Sequence, residues 1–205
     1  MSYNIVMNEI TQITSQNKGD RLNVFLDGKF AFGVDYATAV KFGLKQGKIL
    51  AQDDIAAIND EEGRVAAFNK ALKYAVKKTV SKKQLIDYLV RNGFSIQSAL
   101  VAADKLGAYG YANDAEYARA YVSTYANERG SRRIEAELKN AGIAQEIIDE
   151  ALESVDDYGA CTRCMQKYVR THKQIDRAKL VSYLAYRGFD YDTINDCINR
   201  SEYED

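Results

Sequence analysis

The sequence predicts a mainly α-helical protein: three tandem three-helix repeats in an elongated curved array, preceded by a small antiparallel β-hairpin/α module. Three observations predict it. Tyr74, Tyr121 and Tyr168 stand 47 residues apart. Each is followed 11 to 13 residues later by an apolar-x3-Leu-x3-Gly-apolar motif: Leu85-Leu89-Gly93-Phe94, Ile134-Leu138-Gly142-Ile143 and Leu180-Leu184-Gly188-Phe189. The first 60 or so residues instead alternate with the period of a strand. The expected boundaries are an N-terminal module over 1–60 and repeats over 61–110, 111–155 and 156–205.

In the N-terminal module, Ile10-Thr11-Gln12-Ile13-Thr14 and Leu22-Asn23-Val24-Phe25-Leu26 alternate with period two. Asp27-Gly28 before Lys29-Phe30-Ala31-Phe32 is a two-residue hairpin signal. Three short antiparallel strands are expected. Tyr36 to Phe42 reads as helix, Gly43 and Gly47 mark a turn before Ile49 and Leu50, and Asp53-Asp54 begin another short helix. Gly43-Leu44-Lys45-Gln46-Gly47-Lys48 resembles a phosphate-binding loop. It has three intervening residues where four are needed, however, and Ile49 in place of the Ser or Thr that would hold magnesium. It reads as a plain turn. With nine acidic against six basic residues through Gly63, the module is a poor phosphate binder by itself.

From Arg64 onward the pattern is helical. In the first helix Phe68, Leu72, Ala75 and Val76 form the expected apolar side, with Lys70, Lys73 and Lys77 opposite. Ser81 with Gln84 makes a capping box for the second helix, and Asn113 with Glu116 another at the start of the second repeat. Tyr117, Ala118 and Tyr121 share a face there; Gly130 breaks that helix, and Gly142 stops the next, as a residue tolerant of positive φ should. Third amphipathic stretches follow each motif: Ala99, Leu100, Ala103 and Leu106; Ile147, Ile148, Ala151 and Leu152; Ile194, Cys197 and Ile198. Ser95 and Asp190 are placed to cap two of them. Nine repeat helices are expected. A unit of about 47 residues has too little interior to be stable alone, so the units should stack end to end. The plainer alternative is a helical bundle with no binding role.

Formal net charge is −1, so no global attraction to nucleic acid exists. Local asymmetry is marked. Arg64 to Arg91 carries eight basic residues and one acidic, and Arg163 to Arg187 seven to one. Arg163, Lys167 and Arg170 share a face away from Met165 and Val169. Ala144 to Gly159 carries six acidic residues and no basic one, and the tail after Gly188 is acidic as well. The basic faces suit phosphates or an acidic protein surface; the bland alternative is an ordinary solvated helix face.

Catalysis finds little support. His172 is the single histidine and is expected to pack or cap a helix end. Cys161-Thr162-Arg163-Cys164 has CxxC spacing, but only Cys197 and His172 remain as further soft ligands, without a second pair. Cys164 falls at the repeat position of Tyr117, and Cys197 on an apolar helix face, so both read as core fillers. Three cysteines fit reduced thiols in a cytoplasm better than a disulfide framework. No membrane span or secretory signal is evident, and no metal or cofactor is expected. The chain reads as a binder.

The segment Gly110-Tyr111-Ala112-Asn113-Asp114-Ala115-Glu116-Tyr117-Ala118-Arg119-Ala120-Tyr121-Val122 resembles the central signature of the RecX family of recombinase regulators. Gly130-Ser131-Arg132-Arg133-Ile134-x2-Glu137-Leu138-x3-Gly142-Ile143 resembles that family's next helix, and the motifs of the first and third repeats look like its flanking helices. The resemblance covers about residues 64–200, and the N-terminal module is similar to the extension of longer members. Ala112 departs from a usually larger apolar residue.

That resemblance implies a non-enzymatic regulator that binds the RecA recombinase, lies along the groove of its nucleoprotein filament and suppresses its strand exchange, ATP hydrolysis and co-protease activity. It places the chain in DNA repair, recombination and the SOS response, as a monomer in the cytoplasm with weak single- or double-stranded DNA binding. The contacts expected for RecA or DNA are Lys70, Lys73, Lys77, Arg129, Arg132, Arg133, Arg163, Lys167 and Arg170. A second expectation, from another class, is a DNA-binding protein whose three-helix units work like helix-turn-helix readers. An uncharacterised enzyme is a distant third, since no motif announces a catalytic pocket.

Overall fold

Positive φ at both Asp27 (49°) and Gly28 (79°) turns the chain tightly between two strands, the backbone twist that a two-residue hairpin requires. In the computed structural model, which describes residues 7–16 and 19–201, this hairpin belongs to a four-stranded antiparallel sheet. Its strands are β1 (Met7–Ser15), β2 (Arg21–Leu26), β3 (Lys29–Asp35) and β4 (Ile49–Ala51), in the order β3-β2-β1-β4. Ile10, Val24 and Val34 are fully buried, as the period-two alternation requires, with Leu50 and Ile58 in the same core. The fourth strand corrects the sequence reading, which had only a turn running into Ile49. Three residues carry no readable alternation; pairing with Met7, Asn8 and Glu9 makes them a strand.

The turn before it is no phosphate loop. Lys48, at the position of a phosphate loop's lysine, donates instead to the carbonyl of Phe42. Gly43 and Gly47 both take positive φ there.

After α1 (Tyr36–Lys41) comes one 24-residue helix, α2 (Gln52–Ala75), where the sequence suggested a short helix and then a separate repeat helix. It runs through residue 60 without a break because it serves two cores. Its first half contributes Ile58 to the sheet core, and Glu62 accepts from Arg21 (3.0 Å) and from the Asp35 backbone (2.7 Å). Its second half buries Ala67, Ala71 and Ala75. Ala75 is thus buried where the sequence placed it, Phe68 and Leu72 are only half-buried beside that line, and Val76, past the helix end, is 57% exposed.

The other helices are α3 (Lys82–Arg91), α4 (Ile96–Ala108), α5 (Asp114–Tyr125), α6 (Ser131–Asn140), α7 (Gln145–Leu152), α8 (Asp157–Thr171), α9 (Arg177–Tyr186) and α10 (Tyr191–Ser201). The expected caps form. Asn113 accepts from Glu116 N–H, Ser95 from Ser98, and Asp190 from Thr193. Ser81 and Gln84 make both bonds of a capping box. Glu116 makes no return bond, so the Asn113 box is half built. Leu100 is 38% exposed, and Ala102 takes its expected place in the interior. Glu202, Glu204 and Asp205 of the acidic tail lie outside the described residues.

The chain packs into two compact units. One runs to Tyr74 and adds Ile86–Leu106; the other comprises Ala75–Leu85 and continues from Gly107. In the first, Leu89, Ala99, Ala102, Ala103 and Leu106 join Ala67 and Ala71 as buried residues. The second holds two cores. One gathers Ala118, Val122, Ile134, Leu138, Ile143 and Ile148; the other gathers Cys161, Cys164, Tyr168, Leu180, Leu184 and Ile194. The three repeat tyrosines make the same contact three times. Tyr74 stacks on Tyr88 (3.9 Å between ring centres), Tyr121 donates to Glu137 (2.8 Å), and Tyr168 packs on Tyr183 (4.9 Å). Each partner lies three residues after the first apolar residue of its motif.

Within the second unit the joints between consecutive repeats also recur. The first backbone N–H of α3, from Lys82, donates to Asp114 (2.8 Å), the first residue of α5. The first N–H of α6, from Ser131, donates to Asp157 (2.9 Å), the first residue of α8. At both joints the carbonyl just before the motif glycine is also satisfied across the joint. Ser81 Oγ donates to Ala141 O (2.7 Å), and Gly130 N–H donates to Arg187 O (3.0 Å). The second joint is so close that a Cβ on Gly130 would sit 2.4 Å from Gly188 O.

Gly130→Ala should therefore lower unfolding stability by about 2 kcal/mol, the usual scale for forcing an extra methyl into packed backbone. Gly63→Ala, inside α2 where a Cβ meets only Ser98 Oγ at 3.6 Å, should be neutral or stabilising by up to about 1 kcal/mol. Urea unfolding followed by circular dichroism checks both signs.

Candidate functional site

Helix ends and helix faces divide the predicted cations into two groups. Lys70 and Lys73 project exposed from α2, while Lys77 is equally exposed but lies beyond the end of that helix, in the turn that follows. The three-lysine helical stripe is thus a pair on the helix plus one residue off it. Arg163, Lys167 and Arg170 share one exposed face of α8 at helical spacing, as expected. Val169, expected on the opposite buried side with Met165, is 45% exposed, whereas Met165 is buried. Lys167 approaches Glu128 at 3.8 Å with both side chains about two-thirds exposed, a contact of little energetic weight. Arg132 is exposed at the second position of α6.

Arg129 and Arg133 differ from these seven. The turn after α5 carries Arg129 back over its own helix, where its guanidinium lies 3.8 Å from the Tyr125 ring centre. From there it bonds Glu137 Oε2 (2.6 Å) and Tyr121 OH (3.0 Å). Arg133, one turn before Glu137 on α6, donates to its Oε1 (3.0 Å) and to the Tyr186 carbonyl (3.2 Å). One half-buried carboxylate thus holds two arginines and a tyrosine. Burial, the largest single influence, pushes Glu137 up, but the bonds from Tyr121, Arg133 and Arg129 outweigh it and hold the carboxyl below its ordinary range. Tyr121 is pushed up to about 12, by burial first and then by its bond to Glu137. Glu137 was not among the predicted residues. The i,i+4 spacing to Arg133 was readable in the sequence, but nothing local pointed to Arg129 or Tyr121.

A cleft of about 400 Å³ opens beside this network at the joint of the second and third repeats, lined by Arg132, Arg133, Tyr186, Phe189, Tyr191 and Ile194. The sequence reading missed it, since it joins α6 to the ends of α9 and α10 across more than 50 residues. Elsewhere in the third repeat Cys161, Cys164 and Cys197 are buried free thiols, and burial raises Cys161 and Cys164. Among the described residues no group of three His, Cys, Asp or Glu side chains is placed to hold a metal ion. His172 ends α8 stacked on Tyr168 at 3.9 Å. No described helix is long and apolar enough to cross a membrane.

The network sets a pH dependence. Because Glu137 is depressed in the fold, its stabilisation is present above the ordinary glutamate range and is lost as pH falls through its lowered folded value. Glu137→Gln should cost about 1–2 kcal/mol at pH 7. That deficit should begin to shrink as pH falls below the ordinary glutamate value of about 4.3. It should vanish once pH passes the lowered folded value, where the wild-type carboxylate is itself protonated. Tyr121 works with the opposite sign: its raised value makes the fold lose stability as pH climbs from about 10 toward about 12. Thermal melts of wild type, Glu137→Gln and Tyr121→Phe across pH 3 to 11 read both.

Comparison with known proteins places these features in a family. Residues 8–51 match the family model of the regulatory protein RecX N-terminal domain, residues 113–152 that of the RecX second three-helix domain, and residues 156–198 that of the third. The regulatory protein RecX of Bacillus licheniformis is 34% identical over 205 residues, covering 95% of this chain and 78% of the relative. That of Caldanaerobacter subterraneus subsp. tengcongensis is 32% identical, covering 93% of this chain and 98% of the relative. A crystal structure of regulatory protein RecX matches with a TM-score of 0.73 at 26% identity, over 92% of this chain and 99% of that one. The structure of RecX from Lactobacillus salivarius, at 23% identity over 70% of this chain and 99% of that one, shares the fold with a TM-score of 0.61. With relatives above 30% identity spanning nearly its whole described length, and its N-terminal module and last two repeats each matched in turn, the chain belongs to the RecX family of regulatory proteins.

Proposed function

We propose that this chain binds the RecA recombinase on its nucleoprotein filament and restrains its ATP hydrolysis and strand exchange, acting in the cytoplasm without a cofactor. The observation that carries the reading is the division of the cations. Seven of the nine residues expected at the interface stay exposed, and none of the seven is buried in an internal ion pair. Exposed guanidinium and ammonium groups cost little to desolvate partially against an acidic surface, and they steer encounter. Lys70 and Lys73 belong to one unit, Lys77 and the others to the second, so each set acts as a patch in its own right. Arg129 and Arg133 support the second set by fixing the start of α6, from which Arg132 projects.

A duplex-reading mode through helix-turn-helix-like units fits less well. Of the six acids between Ala144 and Gly159, Glu146, Asp149 and Glu150 lie on α7, the third helix of the second repeat, and Glu153 at its end, where they would face phosphates unfavourably.

The test is DNA-stimulated ATP hydrolysis by RecA, titrated with this protein. Wild type should inhibit. The triple variant Arg163→Glu, Lys167→Glu, Arg170→Glu should inhibit at least about tenfold more weakly, with an unchanged circular dichroism spectrum. Undiminished inhibition by that variant removes α8 from the interface. Arg129→Ala should act differently, lowering thermal stability more than it lowers inhibition per folded molecule.

A further inference from the structure

Tyr186 and Tyr191 are exposed aromatic residues whose rings no contact above employs. They are 78% and 65% exposed, more than any other large apolar side chain of the described residues. Both line the cleft at the joint of the second and third repeats. An exposed tyrosine standing alone is unremarkable, but a pair at the mouth of one cavity, beside arginines, is a recognisable chemistry.

The cleft has three kinds of wall. Its interior is apolar, with Phe189 and Ile194 almost wholly buried. Its cationic wall is Arg132, exposed, and Arg133, whose guanidinium lies 5.1 Å from the Tyr186 ring centre and donates to the Tyr186 carbonyl. Tyr186 is thus held on one side by a cation while the rest of the ring remains open to solvent. The nearby carboxylate, Asp190, is occupied in capping α10: it accepts from Thr193 N–H (2.7 Å) and Thr193 Oγ1 (3.0 Å). Those bonds chiefly, with the positive field of Arg132, keep it below its ordinary range. Arg132 makes no ion pair short enough to count as a salt bridge, so it remains available to an anion. The volume, about 400 Å³, is large enough for a base and its sugar.

We infer that this cleft binds one nucleotide unit of a single-stranded nucleic acid. The base lies on Tyr186 or between Tyr186 and Tyr191 over the apolar floor, and Arg132 takes the adjoining phosphate. Charge and shape favour this occupant over a protein segment. A flat ring with one open face and an unpaired guanidinium beside it matches a base and its phosphate, whereas a peptide strand would seek backbone hydrogen-bond partners that exposed helix ends supply sparsely. Duplex is excluded from this mode, because its bases are stacked on one another. The inference goes beyond the proposed regulation of RecA and is read first from nucleic-acid binding without RecA.

Fluorescence anisotropy with a labelled fifteen-residue oligothymidylate, at fixed salt, is the measurement. Binding should be about tenfold or more tighter than to an abasic deoxyribose-phosphate strand of equal length, the scale of one stacked base. Tyr186→Ala, Tyr191→Ala together should abolish that preference for bases with no change in thermal midpoint, both rings being exposed; Tyr186→Trp should retain it. Arg132→Gln should weaken the oligothymidylate and the abasic strand alike. Equal affinity for the two strands, or wild-type oligothymidylate binding by the double variant, overturns the inference. A RecA ATPase assay on the same variants separates the two readings. Lost oligothymidylate binding supports the cleft whether or not inhibition survives. Lost inhibition with intact oligothymidylate binding makes the patch a protein-docking surface and overturns it.

Discussion

A helix begins with backbone N–H groups that have no partner of their own, and the joints of this protein are built on that deficit. At the first residue of α3 and again at the first residue of α6, an aspartate from the first turn of the next repeat accepts the N–H across the joint. The anion is favourable there for a second reason, because it faces the positive end of the helix dipole. Burial works against it at the second joint, pushing Asp157 up even though the Ser131 N–H pulls the other way. The bond is thus worth keeping only where the geometry is tight. The motif glycines provide that tightness: a Cβ on Gly142 would overlap Lys83, and one on Gly188 would overlap Arg133. The third repeat has no successor among the described residues, and there Asp176 turns inward to accept from Ala178 and Lys179 of its own helix. Ser81 at the matching position caps its own helix as well, but its hydroxyl and the Gly130 N–H also bond the following repeat, a bond that Asp176 does not make among the described residues.

The same economy explains α2. A 24-residue helix whose one half packs under a sheet and whose other half opens a helical repeat needs different side chains along its length. Ile55 and Ile58 serve the sheet, Glu61 receives Lys41 from α1 and Glu62 receives Arg21 from β2, and Ala67 and Ala71 serve the repeat. Small alanines let neighbouring elements approach closely, where branched residues would hold them apart. Because one rigid helix carries both sets, the sheet module steadies the start of the first repeat through a continuous backbone rather than a linker.

Much of this was legible in the residues alone. The 47-residue tyrosine period marks a contact that recurs with three chemistries, a stacked ring, a carboxylate and a tilted ring. The glycine motif marks the helix stops, and the caps at Ser81, Ser95, Asn113 and Asp190 form because they need only near neighbours. What escaped the sequence depends on distant partners. β4 is a strand only because Met7, Asn8 and Glu9 pair with it. The length of α2 and the exposure of Val76 and Val169 follow from where other elements end, which local periodicity cannot register. Among nine candidate cations, the residue types were the same and the spacing alike. Only the fold distinguishes Arg129, turned back onto Tyr125 and Glu137, from Arg132, turned outward three residues later.

That distinction ties the buried network to the surface. Arg133 bonds Glu137 with one edge and the Tyr186 carbonyl with another, while its guanidinium carbon lies 5.1 Å from the Tyr186 ring centre. Glu137 in turn is anchored by Tyr121, the tyrosine that defines the repeat, and by Arg129. A chain of charge-assisted bonds therefore runs from the core of the second repeat to the most exposed aromatic ring of the third. Such bonds are short and directional, so they limit the freedom of Arg133 far more than an isolated surface pair would. An arginine with that many fixed partners gives little of its charge to an external ligand; it shapes the wall on which Arg132, with none, presents its own. The repeat architecture thus supplies rigid positioning from residues that look like binding residues, and leaves the binding to the neighbours they position.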